Sequence, residues 1–549
     1  MKQTSVVKSV LKFAPLALAV SCSLTLLSGC SSSDSAPANA NATISGTIVA
    51  APVNGADVSV VDGNGNVVAG PVKTDATGQY TVSIPTASLA QELIVKSTDG
   101  TFKDEATGNA GTAGEMYAYA SANSLSDGSS ISVTPGSAII ADLVMTHNKT
   151  MAQAEAAFTA AFGYTPDTSI IPADATTAPA AEETDASTLA GFRAAVFSQL
   201  AMDLGLSQDD QFEMFAALAK DLSDDKLDGV DTSGAIAIGT TGKTLEADIQ
   251  NRFTMALVNF NANGYNKTGL NNAQIGNLPF AKVALTDTYK IEYVQMGMMD
   301  PMEGKSTFQL HITDRVSGAE VTGKIPMLMA MMHMATHEHS TPMPVPAVSE
   351  DGSGIYTVTL YYLMPSQMMD GMSMGYWDLK FMVSGEEAHF YPAVMMSMGD
   401  TAQVRLKGVG DKIMSMATGT MVGRTYFMFK DSLVAAGMSS YDFSVFVAAQ
   451  ESMMSFPAVY DGSTLDGNTL GVTVEISDDD GASWNSAVDG GNGIWTVTGL
   501  SLTNGVEDQI RIRLTINDTV NDEVKTIDGS VAVEDVNDYQ TFTVTPGGM

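Results

Sequence analysis

Cysteine is nearly absent from this 549-residue sequence, which has only Cys22 and Cys30. That excludes a disulfide-stapled scaffold and a zinc site built on thiolates. Basic residues are scarce too. There are 27 Lys and Arg against 62 Asp and Glu, so the formal net charge is −35. A chain without a Lys/Arg footprint is not expected to bind nucleic acid. Beyond the N-terminus no stretch reaches the roughly 18 apolar residues that a spanning helix needs. There is no phosphate-cradling glycine loop and no HExxH pattern. Gly371-Met372-Ser373-Met374-Gly375 spells the G-x-S-x-G hydrolase elbow, but that motif needs a strand before it and a helix after it. Local methionine density explains those letters better, and no enzymatic activity is expected. The hydrophobic fraction of 44% is that of a globular protein.

Lys2, Lys8 and Lys12 precede an apolar run from Phe13 to Leu27. This is the charged and hydrophobic order of a secretory signal. Leu27-Ser28-Gly29-Cys30 then resembles the lipobox of bacterial lipoproteins. The resemblance implies cleavage before Cys30, lipidation of Cys30 and an anchor in a membrane. Ser31 in the following position favours the outer membrane, facing either the periplasm or the cell surface. Residues 30–41 read as the lipidated cysteine and a flexible tether.

The remaining chain reads as mainly β and multidomain, with prealbumin-like and immunoglobulin-like β-sandwiches and one small helical domain between them. The expected divisions are 42–135, 136–275, 280–385, 386–456 and 457–549. Short alternating strands separated by Gly/Asn/Asp turns fill 42–100. The frame ISGTI…GADVSVVD…TDATGQYTVSIP resembles the carboxypeptidase-regulatory-like, prealbumin-type sandwich over about 60 residues. Helical spacing is expected in Met151–Phe162, Ala190–Leu204, Gln211–Leu222 and Leu245–Asn259, with Ser207, Asp209 and Asp210 as a cap signal. Asp221–Asp231 is weakly calcium-loop-like, but Lys226 occupies a ligand position, so a solvated helix exit is expected. Strand periodicity returns after 280. In three places a glycine precedes an aromatic that opens a strand: Gly78 and Tyr80, Gly354 and Tyr356, Gly493 and Trp495. Each reads as a hairpin turn feeding a core aromatic. Ser477-Asp478-Asp479-Asp480-Gly481-Ala482-Ser483-Trp484 resembles the Asp-box hairpin, which implies a stabilised turn.

Methionine is abundant and uneven. Of 34, 26 lie between residues 296 and 454. Met382 and Met428, inside strand patterns, read as core packing. The groups Met296, Met298, Met299, Met302 and Met364, Met368, Met369, Met372, Met374 are interleaved with Gly, Asp and Pro. Those are turn compositions, where an apolar side chain gains little burial. Met327, Met329, Met331, Met332, His333, Met334, His337, His339 and Met343 form the densest segment. Thioethers are soft donors that favour Cu(I) and, by the same logic, Ag(I), while imidazole serves either copper state. On a strand, Met327, Met329 and Met331 share one face, as would His337 and His339. These residues are the candidate ligands of a copper or silver ion. The alternative is an adaptable methionine surface for another envelope protein.

Residues 285–385 also resemble the YtkA-like (FixH-related) extracytoplasmic β-sandwich. Met327, His333, Met334, Met343, Gly354, Tyr356, Met364, Pro365, Trp377 and Leu379 carry the resemblance. It implies a periplasmic immunoglobulin-like domain often linked to copper handling; the function expected of the whole chain is copper storage, tolerance or delivery. The methionine-rich stretch Gln367–Met374 is an addition to that pattern.

Overall fold

The computed structural model describes residues 40–276, 278–297, 300–415, 418–518, 524–527 and 539–547. The signal segment, Cys30, Met298 and Met299 lie outside the described residues. The chain is mainly β and multidomain, with three large hydrophobic cores in chain order. No helix of the described residues is long and apolar enough to cross a membrane.

The first core runs from Ala42 to Leu278 and also takes in Tyr376 and Tyr391. Strands Gln79–Pro85, Asn41–Thr47 and Ser129–Ser130 form one sheet, and Val67–Lys73, Asp57–Asp62, Leu93–Thr98 and Met116–Ala120 the other. Alternation puts Ile44, Val82 and Ile84 inside one sheet, and Val58, Val60 and Val95 inside the other. Five helices follow: α1 Pro135–Met145, α2 Met151–Phe162, α3 Asp185–Asp203, α4 Gln211–Asp221 and α5 Ile249–Ala262. Phe158, Phe162, Phe197 and Phe253 interlock, Phe162 edge-on to Phe197 and Phe253 and the other pairs tilted, where α2, α3 and α5 meet. Sandwich and helices share this one core. Helix α1 is absent from the sequence expectation, while α4 starts at Gln211 as expected but without the expected side-chain cap. Ser207 bonds the Asp210 carboxylate at 2.6 Å in a turn of its own, and Asp210 makes no side-chain cap. In the Asp221–Asp231 loop, Asp221 accepts from Gly229 N–H and Asp231 pairs with Lys220.

The middle sandwich holds the second core. One sheet runs Val283–Leu285, Tyr289–Gln295, Gly304–Asp314, Ile355–Tyr362, Val348–Glu350. The other runs Glu338–Ser340, Met327–Met334, Gly375–Val383, Glu386–Phe390. All pairings are antiparallel. With the short first strand set aside, the spatial order is that of the A-B-E-D and C′-C-F-G sheets of an immunoglobulin sandwich. Gly375–Val383 is a strand, so Ser373 does not sit on a strand-to-helix elbow.

The third core spans Val404 to Val544. Its sheet carries the 17-residue strand Met421–Gly437, paired with Gln403–Met414 and Ser440–Ala449. The three glycine–aromatic turns behave alike across the molecule. Gly78, Gly354 and Gly493 have φ of 77°, 80° and 89°, open to glycine at little cost. The aromatics that follow are buried, and each polar tip finds a carbonyl: Tyr80 that of Ile131, Tyr356 that of Val321, Trp495 that of Val459. The Asp-box segment closes on Asp479, which accepts from the Ser483 N–H and hydroxyl and from the Ser477 hydroxyl. Those bonds, the Ser483 hydroxyl first, lower its pKa to about 2.

Candidate metal centre

Strand Met327–Met334 sets the site, because alternation divides its sulfurs between two environments. Leu328, Ala330 and Met332 point into the middle core, and Met332 is fully buried. Met327, Met329, Met331 and His333 point the other way. Met327 and Met329 are 55% and 43% exposed. Across the ladder they face Met382, Lys380, Asp378 and Tyr376. Met382, expected in the core, therefore sits on the outer face beside Met327, because its neighbours Phe381 and Val383 take the inner positions. Met428 is buried as expected.

The three histidines of the segment go to three places. His333 Nδ1 lies 2.7 Å from Glu338 Oε1, and its ring stacks on Tyr376. His337 is exposed in the turn before Glu338–Ser340 and bonds Thr336. It precedes the strand, so the i, i+2 rule does not put it on the face of His339. Their rings lie 6.3 Å apart. His339 points inward and is 5% exposed. Its Nδ1 lies 2.8 Å from the Ser340 carbonyl, its Nε2 lies 3.3 Å from Met364 Sδ, and its ring stands edge-on to Trp377. Burial holds this imidazole below its usual pKa. The Ser340 carbonyl opposes that shift and His337 adds to it.

Met364 ends the Ile355–Tyr362 region, and its carbonyl accepts from Trp377 Nε1. From there the backbone ties the methionine loops together. Met374 N donates to Ser366 O, Ser366 N to Val394 O, Met395 N to Pro301 O and Glu303 N to Met395 O. Met302 and Met395 form a parallel bridge. The turn closed by Met368 N and Met372 O projects Met369 and Met372, 78% and 56% exposed. Met296, Met395 and Met398 are also exposed; Met302, Met368 and Met374 are half-buried. The segments 301–303, 364–374 and 394–398 are thus one connected methionine-rich surface. Met334 and Met343 are half-buried against the middle core.

A groove of about 640 Å³ lies alongside, lined by Met329, Met331 and Met343 together with Met454, Phe456 and Tyr460 of the C-terminal region. Ser340 N donates to Met453 O at its edge. Among the described residues no group of three His, Cys, Asp or Glu is placed to hold a metal. Any metal here would rely on sulfur. Met364 belongs to the methionine loop and to the YtkA-like pattern that the sequence points to, although it is not among the candidate ligands; Met454, beside Met453, is not among them either.

No protein-family model matches the chain, and no curated protein matches it. Among solved structures it is similar to domains 4–9 of the surface layer protein SbsC, at 12% identity and TM-score 0.14. That match covers 48% of this chain and 32% of the other, so the chain spans about a third of that protein fragment. It is also similar to titin domains z1z2 in complex with telethonin, at 10% identity and TM-score 0.11, covering 45% of this chain and 94% of the other. Titin domains A168-A170 align at 9% identity and TM-score 0.12, covering 45% and 96%.

Proposed function

We propose that this protein is a lipid-anchored, extracytoplasmic binder of soft metal ions, Cu(I) or Ag(I), serving storage, tolerance or delivery. The observation that carries the reading is the convergence of three methionine-bearing segments, 301–303, 364–374 and 394–398, through backbone bonds at Pro301, Ser366, Met374 and Met395. Met296, Met369, Met372, Met395 and Met398 are exposed where packing would hide them. Thioethers carry no proton near neutral pH and resist the oxidation that disables thiol pairs, so they suit Cu(I) outside the cytoplasm. The lipobox-like Cys30 supports the anchor, and the −35 charge favours cation approach.

The test is a Cu(I) titration against a chromogenic chelator of the unprocessed full chain, produced without signal cleavage or lipidation, with Cys22 and Cys30 alkylated so that thiols contribute nothing. A second protein carries Met296, Met369, Met372, Met395 and Met398 as Leu. The native chain is expected to bind more than one Cu(I), and the variant fewer. Absence of binding tighter than micromolar would sink the reading.

The groove lined by Met329, Met331, Met343 and Met454 favours a second reading, a scaffold that seats another envelope protein on a methionine surface. That reading expects no tight metal binding from either protein.

A further inference from the structure

The imidazole of His339 faces two acceptors with one proton. A neutral imidazole has one N–H, and a carbonyl oxygen and a thioether sulfur both accept. His339 is neutral because it is buried and its ring nitrogens meet only the Ser340 carbonyl and Met364 Sδ. At 2.8 Å the contact to Ser340 O requires a proton between the atoms, since two lone pairs repel there. The proton therefore sits on Nδ1. Nε2 is left bare, 3.3 Å from a sulfur that also offers only lone pairs. Packing alone does not account for this pair, because an apolar residue in place of either partner would remove the opposition. A soft cation bound by both does account for it. The Nδ1–H bond to a backbone carbonyl is the arrangement that fixes tautomer and ring orientation in metal-binding histidines. A third soft donor stands next to them. Met332 is the register partner of His339 across the antiparallel pair, and both point into the same core. The short separation of Nε2 and Sδ suits a bent site completed by a third ligand more than a linear bridge. Trp377 closes one side, its ring centroid 5.5 Å from that of the imidazole.

We infer that His339 Nε2, Met364 Sδ and the Met332 sulfur form a buried site for one soft monovalent cation, Cu(I) or Ag(I), distinct from the exposed methionine loops. This rests on the soft-metal reading above and assigns its tightest site. Hard divalent cations are poor occupants, because thioethers bind them weakly and, among the described residues, no carboxylate joins these donors to neutralise the charge. Met364, half-buried and flexible, is the point of entry, and the exposed sulfurs are the surface from which the ion arrives.

The experiment uses Ag(I), which does not change oxidation state in air, and the same unprocessed full chain with both cysteines alkylated. Four proteins are compared: native, Met364→Leu, His339→Gln, and the five-leucine variant of the exposed loops. The five-leucine variant is expected to keep one tight equivalent. Met364→Leu and His339→Gln are each expected to weaken that equivalent by at least about a hundredfold while leaving the loop equivalents in place. In the native protein the first equivalent should shift the Met364 methyl carbon and the His339 Nε2 resonances. That spectrum decides the matter even where a variant folds poorly. If Ag(I) binds the native chain while Met364 and His339 stay unshifted, or while both single variants bind as tightly, the buried site is overturned and the loop reading survives. If the native chain binds no Ag(I), both readings fall together.

Discussion

Glu105 is a carboxylate with almost no solvent around it, 1% exposed between the first sandwich and α3. Its carboxyl accepts from Ala51 N–H on the sandwich side and from the Ser198 hydroxyl, at 2.6 Å, on the helix side. Burial raises its pKa to about 7, with the Ser198 bond opposing and Asp104 adding to the rise. A carboxyl raised in the folded state holds its proton more tightly there than in the unfolded chain. Its contribution to stability is therefore complete below the unfolded value near 4.5 and is lost as pH rises through about 7. In the protonated form Glu105 can donate to Ser198, whose hydroxyl then turns to Gln211 Oε1 at 3.3 Å. Glu105→Gln copies that form. It is expected to flatten the stability profile between pH 5 and 8, a difference of at most about 3 kcal/mol. Urea midpoints of both proteins at the two pH values measure this. Parallel slopes would show that the carboxyl does not titrate in that range.

At the scale of the element, periodicity was a good guide wherever one face is buried and the other wet. The Met151–Phe162 helix and the alternation along Met327–Met331 follow from the sequence for that reason. Helix α1 escaped notice because it has no wet face to speak of. Pro135 to Ala141 are all buried, as is Leu143, so no 3.6-residue stripe stands out. Its start was nonetheless written locally: Thr134 accepts from Ser137 N–H, Ser137 accepts from Thr134 N–H, and Pro135 takes the first helical position. Thr134→Ala should cost about 1 kcal/mol of stability, read as a shift in the urea midpoint. An unchanged midpoint would mean that core packing alone sets the start of α1. Histidine direction was less legible than methionine alternation. His337 and His339 share a strand face only if the strand begins before His337, and it begins at Glu338.

At the scale of the whole molecule, the pairing of His339 with Met364 is not a matter of spacing along the chain. It depends on the strand Glu338–Ser340 of one sheet and the segment that follows Ile355–Tyr362 of the other closing on one core, and only the fold brings them together. The same holds for Met454, which reaches the groove because the middle sandwich and the C-terminal unit share a seam. Tyr361 stands at the centre of that seam. Its ring stacks on Phe446 with centroids 4.1 Å apart, and its hydroxyl donates to Asp431 at 2.5 Å. Lys305 pairs with the same carboxylate at 2.7 Å. Phe427, Phe429 and Phe456 complete the cluster. Tyr361 is fully buried, so Tyr361→Ala removes the ring, leaves a cavity, and strips Asp431 of one donor. The expected cost is about 3–5 kcal/mol, concentrated at the seam. Calorimetry should then show the middle sandwich and the C-terminal unit melting in separate transitions where the native chain melts them together. Ag(I) binding at His339 and Met364 should persist through this change, since both ligands lie within the middle sandwich. A single transition with a merely lower midpoint would show that bonds outside the cluster, such as Ser340 N to Met453 O, hold the two units together without Tyr361.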